Sequence, residues 1–398
     1  MSTPEKASPG QNSFYPAAIT LLDCRELDTA GAHRQLGQDA RSQVHKILTK
    51  RLDGLGSREN VAAQILRARG YQAALNSKMG LPGLEQDVRE ALKQYQACLS
   101  AWAQGAGLES FRHPHLPQTC AGEPIRAEDL ATLLQEDEVG CQTGVLRESQ
   151  GGVILWHSEE DYELAPGDRF DRFRLFLFRG ADGRDTCGFI YPDLLPGPTF
   201  GWQADNYAQH DYAQAVDSLH ARQKPLENAI LPNTLAWISL YLGGLAGPQS
   251  LAEKLGPFQG GYSLMALSRR EGIVSVEKVE FMNDQLTAGS LETEAGKTFF
   301  QTNIIRDLSQ PIGAEEQTRP ENRVWNEVRL ARTERFLQVI RKSSQPLPLV
   351  LRMLRSRLGG ESAYANHYVK ATFVCRMEPQ KTSFWLNGTE IFIPLMSE

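Results

Sequence analysis

Apolar residues recur at helical spacing through the first hundred positions of the chain. Leu36, Ala40, Val44, Ile47, Leu48 and Leu52 fall on one face, and Val88, Leu92, Tyr95, Leu99 and Trp102 on another, separated by the break Leu81-Pro82-Gly83. The pattern predicts two or three amphipathic helices. Gln104-Gly105-Ala106-Gly107 ends the last of them, and Pro, His and Thr between His113 and Thr119 read as an irregular connection. Residues 1 to about 18 are polar and Pro-containing, the composition of a loose tail.

From Cys141 onward the pattern changes to paired short runs. Val153 to His157 is apolar. Phe173 to Phe178 and Cys187 to Tyr191 flank the turn Ala181-Asp182-Gly183-Arg184, and Tyr262 to Ser268 and Val274 to Phe281 flank Arg269-Arg270-Glu271-Gly272. Tyr368 to Cys375 and Thr382 to Leu386 form a last hairpin around Glu378-Pro379-Gln380. Helical segments lie between these hairpins, one with Leu231, Leu235, Ile238 and Leu242, another from about Trp325 to Ser343. Hairpins alternating with amphipathic helices predict an α+β layered architecture, stacked sheets covered by helices.

Composition narrows the field. The 398 residues are 41% hydrophobic, enough for one large core or two ordinary ones, which excludes a disordered or collagen-like polymer. With 42 Lys+Arg against 48 Asp+Glu, the net charge of −6 gives no global field for nucleic acid or an anionic membrane. The most apolar stretch, Ile230 to Leu245, contains Pro232 and Asn233 and reads as a buried helix of a soluble domain, not a membrane span. The N-terminus lacks the apolar stretch of a secretory signal. Six scattered cysteines without a CxxC or a Cys/His cluster suggest neither a disulfide framework nor a zinc site, so no metal is expected and a reducing cytoplasm is the expected setting.

The chemistry concentrates at Glu138-Val139-Gly140-Cys141-Gln142-Thr143-Gly144, where the helical region gives way to the strands. A glycine before a cysteine permits strained backbone geometry and leaves its carbonyl open, as an N-to-S acyl shift by the following thiol requires. Hydrolysis of that thioester frees Cys141 as a new N-terminus. Its α-amino group, with a reference pKa of about 7.7 to 8.0, can then serve as general base for its own thiol.

Further elements follow in order: His157-Ser158-Glu159-Glu160-Asp161 at the end of an apolar strand, Tyr191-Pro192-Asp193 leading to Leu195-Pro196-Gly197, and Thr302-Asn303 after Phe299-Phe300. This set resembles the acyl-coenzyme A:6-aminopenicillanic acid acyltransferase family and the related β-alanyl-amine hydrolases, cysteine-type N-terminal nucleophile hydrolases. The helical lead-in through Gly105 and Gly107 also resembles a Gly-rich region of that family. The resemblance implies an αββα sandwich of stacked antiparallel sheets. It implies cleavage between Gly140 and Cys141, with residues 1–140 a helical segment and 141–398 the catalytic segment of one folded unit. By the same resemblance Cys141 is the nucleophile, Asn303 donates to a developing oxyanion, and Glu160 or Asp161 is the acid that orients the nucleophile's surroundings or the substrate's amine. His157, Tyr191 and Arg332 are candidate substrate-binding residues; Arg332 lies in a basic run that otherwise reads as a solvated helix face.

The chain departs from the family pattern at Gln142, Trp156, Ser158 and Gln301. These positions bear on substrate and on self-cleavage. The expected activity is a cysteine-dependent amide hydrolase or acyltransferase of secondary metabolism, working through a Cys141 thioester on a small N-acyl amine, amino-acid amide or acyl thioester. No resident cofactor is implied, although acyl-coenzyme A fits as an acyl donor. The expected partners are a small amide or amine and, after processing, the chain's own two fragments; homo-oligomerisation is left open. Two alternatives stand beside this: an unprocessed binding or scaffold protein of the same fold, and an unprocessed cysteine hydrolase using His157 as base.

Overall fold

A computed structural model of the chain describes residues 20–134, 140–162, 174–191, 200–204, 210–219, 226–290, 296–302, 320–355 and 367–391. The expected N-terminal tail lies outside them.

After a short strand β1 (Thr20–Asp23), three long helices follow: α1 (Thr29–Leu55), α2 (Arg58–Met79) and α3 (Gln86–Gly105). Asp28 starts α1 by accepting from the Gly31 N–H, and Gly56, in the left-handed region at φ 73°, ends it. Leu36, Ala40, Val44, Leu48 and Leu52 are all fully buried, so the four-residue apolar period of the sequence is the packed face. Gly37 and Gly105 let α1 and α3 cross closely. A Cβ on Gly37 would lie 2.3 Å from the Trp102 carbonyl oxygen, and one on Gly105 would lie 2.1 Å from that of Arg34. Gly105 therefore serves the helix crossing as well as the helix end that its sequence suggests.

A small strand pair, β2 (Thr119–Cys120) and β3 (Glu123–Pro124), and a short helix α4 (Ala127–Leu133) complete the first part of the chain. The remainder supplies strands β4 (Gly140–Arg147), β5 (Val153–Tyr162), β6 (Arg174–Arg179), β7 (Asp185–Ile190), β8 (Phe200–Ala204) and β9 (His210–Ser218), then helices α5 (Pro232–Leu242) and α6 (Pro248–Leu255). Strands β10 (Gly261–Arg270), β11 (Ile273–Met282), β12 (Gln285–Ser290) and β13 (Thr298–Thr302) come next. Helices α7 (Pro320–Ile340) and α8 (Pro346–Arg355) and strands β14 (His367–Met377), β15 (Thr382–Leu386) and β16 (Thr389–Ile391) close the described chain.

The strands form two large sheets. One runs β1-β6-β7-β8-β9-β10-β11-β12, the other β13-β4-β5-β14-β15-β16. Pairing within them is antiparallel except for β1, which lies parallel to β6 and joins the N-terminal part of the chain to the eight-stranded sheet. The hairpins predicted over Phe173 to Tyr191, Tyr262 to Phe281 and Tyr368 to Leu386 are present as β6–β7, β10–β11 and β14–β15.

Alternation along each strand divides the molecule into layers. Val145, Leu155, Phe189, Ala213, Met265 and Phe373 fill the space between the two sheets. Phe176, Tyr212, Leu264 and Phe281, on the other side of the eight-stranded sheet, pack with residues of α1, α3, α5 and α6. Leu146, Ile154, Trp156 and Val374, on the outer side of the six-stranded sheet, pack with Leu337 and Ile340 of α7 and Met353 of α8. The architecture is α+β, two sheets stacked face to face with helices outside each. Helices from before residue 140 share one core with strands from after it.

Candidate active site

The hairpin β4–β5 turns through Glu148 to Gly152, where the Glu148 N–H donates to the Gly152 carbonyl at 2.8 Å. That turn fixes the register. Cys141 stands opposite Glu159, Thr143 opposite His157, and Gly144 opposite Trp156. Because side chains alternate, Cys141, Thr143 and Val145 point between the sheets together with Leu155, His157 and Glu159, while Gln142 and Leu146 point toward the α7 and α8 layer. Gly144 is bound to be glycine: the Trp156 indole lies over it, and a Cβ there would come within 2.0 Å of Trp156 Cζ2.

Between the sheets, the apolar core gives way at this end to a buried polar chain. The Cys141 thiol donates to Glu159 Oε2 at 3.5 Å, and the Tyr191 hydroxyl donates to the same oxygen at 2.7 Å. The other oxygen, Oε1, lies 2.9 Å from His157 Nε2. On the far side of the imidazole, Nδ1 is 2.8 Å from Thr143 Oγ1, and the Thr143 hydroxyl donates to Asp217 Oδ1 at 2.9 Å. A hydroxyl has one proton. With that proton directed at Asp217, Thr143 accepts from the Nδ1–H of His157, which sets the imidazole's orientation. Asp217 belongs to β9 of the facing sheet, so the chain Cys141–Glu159–His157–Thr143–Asp217 ties the two sheets together. Cys141, Thr143, His157, Glu159, Tyr191 and Asp217 are all buried.

Two groups fix the backbone around Cys141. Arg329 of α7 donates to the Cys141 carbonyl oxygen and, through its other terminal nitrogen, to Asn326 Oδ1 at 3.0 Å. Gln142 Nε2 donates to Thr333 Oγ1, also on α7, at 2.7 Å. Gln142 is thus a strand-to-helix tether.

Burial dominates the electrostatics. It pushes the Cys141 thiol well above its ordinary pKa, with Glu159 and Asp217 adding to the effect and Arg329 opposing it. Burial also raises Asp217, to about 7, against the opposing influence of His157, Thr143 and Arg329. The thiol is therefore protonated at neutral pH in the described state, and reaction requires an adjacent proton acceptor. Glu159 is in place for that.

Cys141, His157 and Tyr191 come together in one cluster. The acid that meets the thiol is Glu159, one residue before Glu160. The backbone of Glu160 pairs with Gly140 and Val369, and that of Asp161 with Tyr368, but their side chains lie outside the described residues, as does all of Asn303. Arg332 is exposed on α7, whereas Arg329, three residues earlier, is buried and reaches Cys141. The sequence does not single out Thr143, Glu159, Asp217 or Arg329 as site residues; Glu159 stands in the acidic motif beside the expected Glu160, and Arg329, in the run that reads as a solvated face, is buried. Glu159 has a sequence signal, since a turn centred on Gln150 puts residue 159 opposite 141; contacts from β9 and α7 have no local one.

No described helix is long and apolar enough to cross a membrane. The chain matches no protein-family model and no curated protein.

Proposed function

We propose that the chain is a cysteine-type N-terminal nucleophile hydrolase, with the αββα fold of that class, which cleaves itself between Gly140 and Cys141. The resulting N-terminal thiol then acts on a small amide or acyl thioester. The observation that carries this reading is the contact between the Cys141 thiol and Glu159, at the start of a central strand and directly after a glycine.

In the maturation step the thiol proton passes to Glu159 as Sγ attacks the Gly140 carbonyl carbon. The Gly140–Cys141 C–N bond breaks, Glu159 returns the proton to the departing nitrogen, and a thioester joins Gly140 to Sγ. Water then hydrolyses the thioester, leaving a Gly140 carboxylate and a free Cys141 amine and thiol. Tyr191 and His157 hold the Glu159 carboxylate, and Arg329 holds the Cys141 carbonyl so that the backbone stays in place while the bond before it breaks. In turnover the new amine takes over as base, a substrate acyl group passes to Sγ, and water or an amine accepts it. Which acceptor is used depends on water exclusion at the thioester.

Intact mass of the purified protein tests the reading. Self-processing yields fragments of 140 and 258 residues, about 15.6 and 28.7 kDa by proportion, and Cys141→Ala stays whole. A wild-type chain that remains intact under all conditions while Cys141 substitution leaves any amide turnover unaltered defeats the proposal. The His157–Glu159 pair beside the thiol favours one second reading, a cysteine hydrolase that works uncleaved. That reading requires an intact wild type whose turnover is lost on Cys141→Ala.

A further inference from the structure

Cys141 Sγ, His157 Nε2 and a Glu159 carboxylate oxygen lie within 4.8 Å of one another, all three side chains buried. Thiolate, imidazole and carboxylate are the donor types that bind zinc, and in tetrahedral coordination their ligand atoms sit roughly 3.3 to 3.7 Å apart. Here the sulfur lies 3.5 Å from Glu159 Oε2 and the imidazole nitrogen 2.9 Å from the other oxygen, Oε1, so a small outward shift and turn of the carboxylate accommodates an ion.

The surroundings also fit. A metal-bound imidazole commonly directs its second N–H to an oxygen acceptor that fixes the ring. His157 Nδ1 faces Thr143 Oγ1, which is in turn held by Asp217. Nε2 is left as the ligand nitrogen. The charge balance is equally direct. The Cys141 thiol donates with one proton, and because Nε2 and Oε1 are both acceptors when Nδ1 carries the ring proton, their 2.9 Å contact requires a second. A dication that displaces both leaves the net charge of this buried region unchanged, which removes the main objection to placing an ion in a low-dielectric interior.

We propose that Cys141, His157 and Glu159 form a three-ligand site for a thiophilic divalent cation of the zinc type, completed by water, and that the ion holds the chain in its uncleaved form. Binding needs only these side chains. The effect on cleavage rests on the proposed function, because the ion occupies the sulfur lone pair that attacks Gly140 and the carboxylate that accepts the proton.

The test uses the uncleaved full chain, stripped with a chelator and titrated with Zn²⁺, then with Co²⁺ as a spectroscopic substitute, with Mg²⁺ as the hard-cation control. One equivalent of Zn²⁺ is expected to bind, Co²⁺ to give a thiolate-to-cobalt charge-transfer band, and Mg²⁺ to do neither. Cys141→Ser should abolish the band with the five other buried cysteines still present. His157→Ala and Glu159→Gln should each weaken binding at least ~10-fold. Thr143→Val, which removes no ligand, should weaken it about 10- to 100-fold by releasing the imidazole. Circular dichroism identifies any variant that has not folded, and the remaining variants then decide. Absence of the band in wild type, or stoichiometric binding indifferent to Cys141→Ser, overturns the proposal. A chain that binds one ion through Cys141 yet never cleaves upholds the site and defeats the maturation reading. A chain that cleaves but binds no ion does the reverse.

Discussion

The Cys141 thiol and the Glu159 carboxylate meet across the β4–β5 ladder, directly opposite in register and 3.5 Å apart. The contact is unusual in cost. A carboxylate beside a buried thiol raises the thiol's pKa, so this pair disfavours a resting thiolate. What it provides is a proton acceptor aimed at the sulfur, useful where the proton must leave during attack and return to the leaving nitrogen.

Glu159→Gln keeps shape and hydrogen-bonding capacity but cannot take that proton. Self-cleavage should slow by about 10²- to 10⁴-fold, the range for loss of a general base. The measurement is the half-time for conversion of full-length chain to fragments, followed by mass spectrometry. A rate within twofold of wild type would remove Glu159 from the proposed step.

Arg329 and Arg332 occupy one helix with opposite surroundings, the first buried against the Cys141 carbonyl and the second exposed. Arg329→Ala deletes charge-assisted hydrogen bonds from a buried site, which typically costs about 1.5 to 3 kcal/mol each, and frees the strand end that carries the nucleophile. Both the urea midpoint and the cleavage rate should fall. Arg332→Ala should leave both unchanged within about 0.5 kcal/mol, unless Arg332 acts on substrate, in which case KM alone rises.

Gly144 and Gly70 separate the two uses of glycine in this chain. Alanine at 144 drives a methyl into the indole of the fully buried Trp156 and should destabilise by about 1 to 3 kcal/mol. Gly70 lies within α2 with nothing within 4 Å of a built Cβ, so Gly70→Ala should stabilise by about 0.5 to 1 kcal/mol. Denaturant titration of both variants reads the opposite signs.

Much of this fold could be read from local pattern because local pattern is what packs. The period of Leu36 to Leu52 is the buried stripe of α1, and the runs flanking 181–184 and 269–272 are the hairpins. The site was legible only in part. Cys141 announces itself by the glycine before it, and the turn at Glu148–Gly152 fixes Glu159 opposite. But Asp217 comes from the other sheet and Arg329 from a helix 188 residues away. Such contacts are fixed by how sheets and helices stack, and neither periodicity nor spacing encodes them. His33 illustrates the converse: it occupies an apolar helix face where a packing role is the ordinary expectation.

That packing role gives a pH dependence. His33 is fully buried among Phe176, Phe178 and Trp237, its Nδ1 2.7 Å from the Thr29 carbonyl oxygen and its Nε2 accepting from the Trp237 indole N–H at 3.2 Å. With Nε2 an acceptor, the ring is neutral and Nδ1–H is the donor. Burial lowers its pKa from 6.5 to about 4, with the Thr29 hydrogen bond opposing. Below 6.5 the unfolded chain takes up a proton at this site that the folded chain does not. The stabilising contribution of neutral His33 is therefore complete above pH 6.5 and lost as pH falls toward about 4. Between pH 6.5 and 5 this residue lowers the unfolding free energy by up to about 1.4 kcal/mol per pH unit as pH falls, while Asp217, raised to about 7, takes up its proton first in the folded chain and contributes with the opposite sign. His33→Gln, which retains a side-chain donor and acceptor, should be less stable than wild type at pH 7.5 and should lose the His33 contribution to the slope, so that its stability relative to wild type improves as pH falls from 6.5 to 5. An unchanged slope would mean that His33 titrates alike in the folded and unfolded chains, and that its burial between α1 and the eight-stranded sheet does not persist in solution.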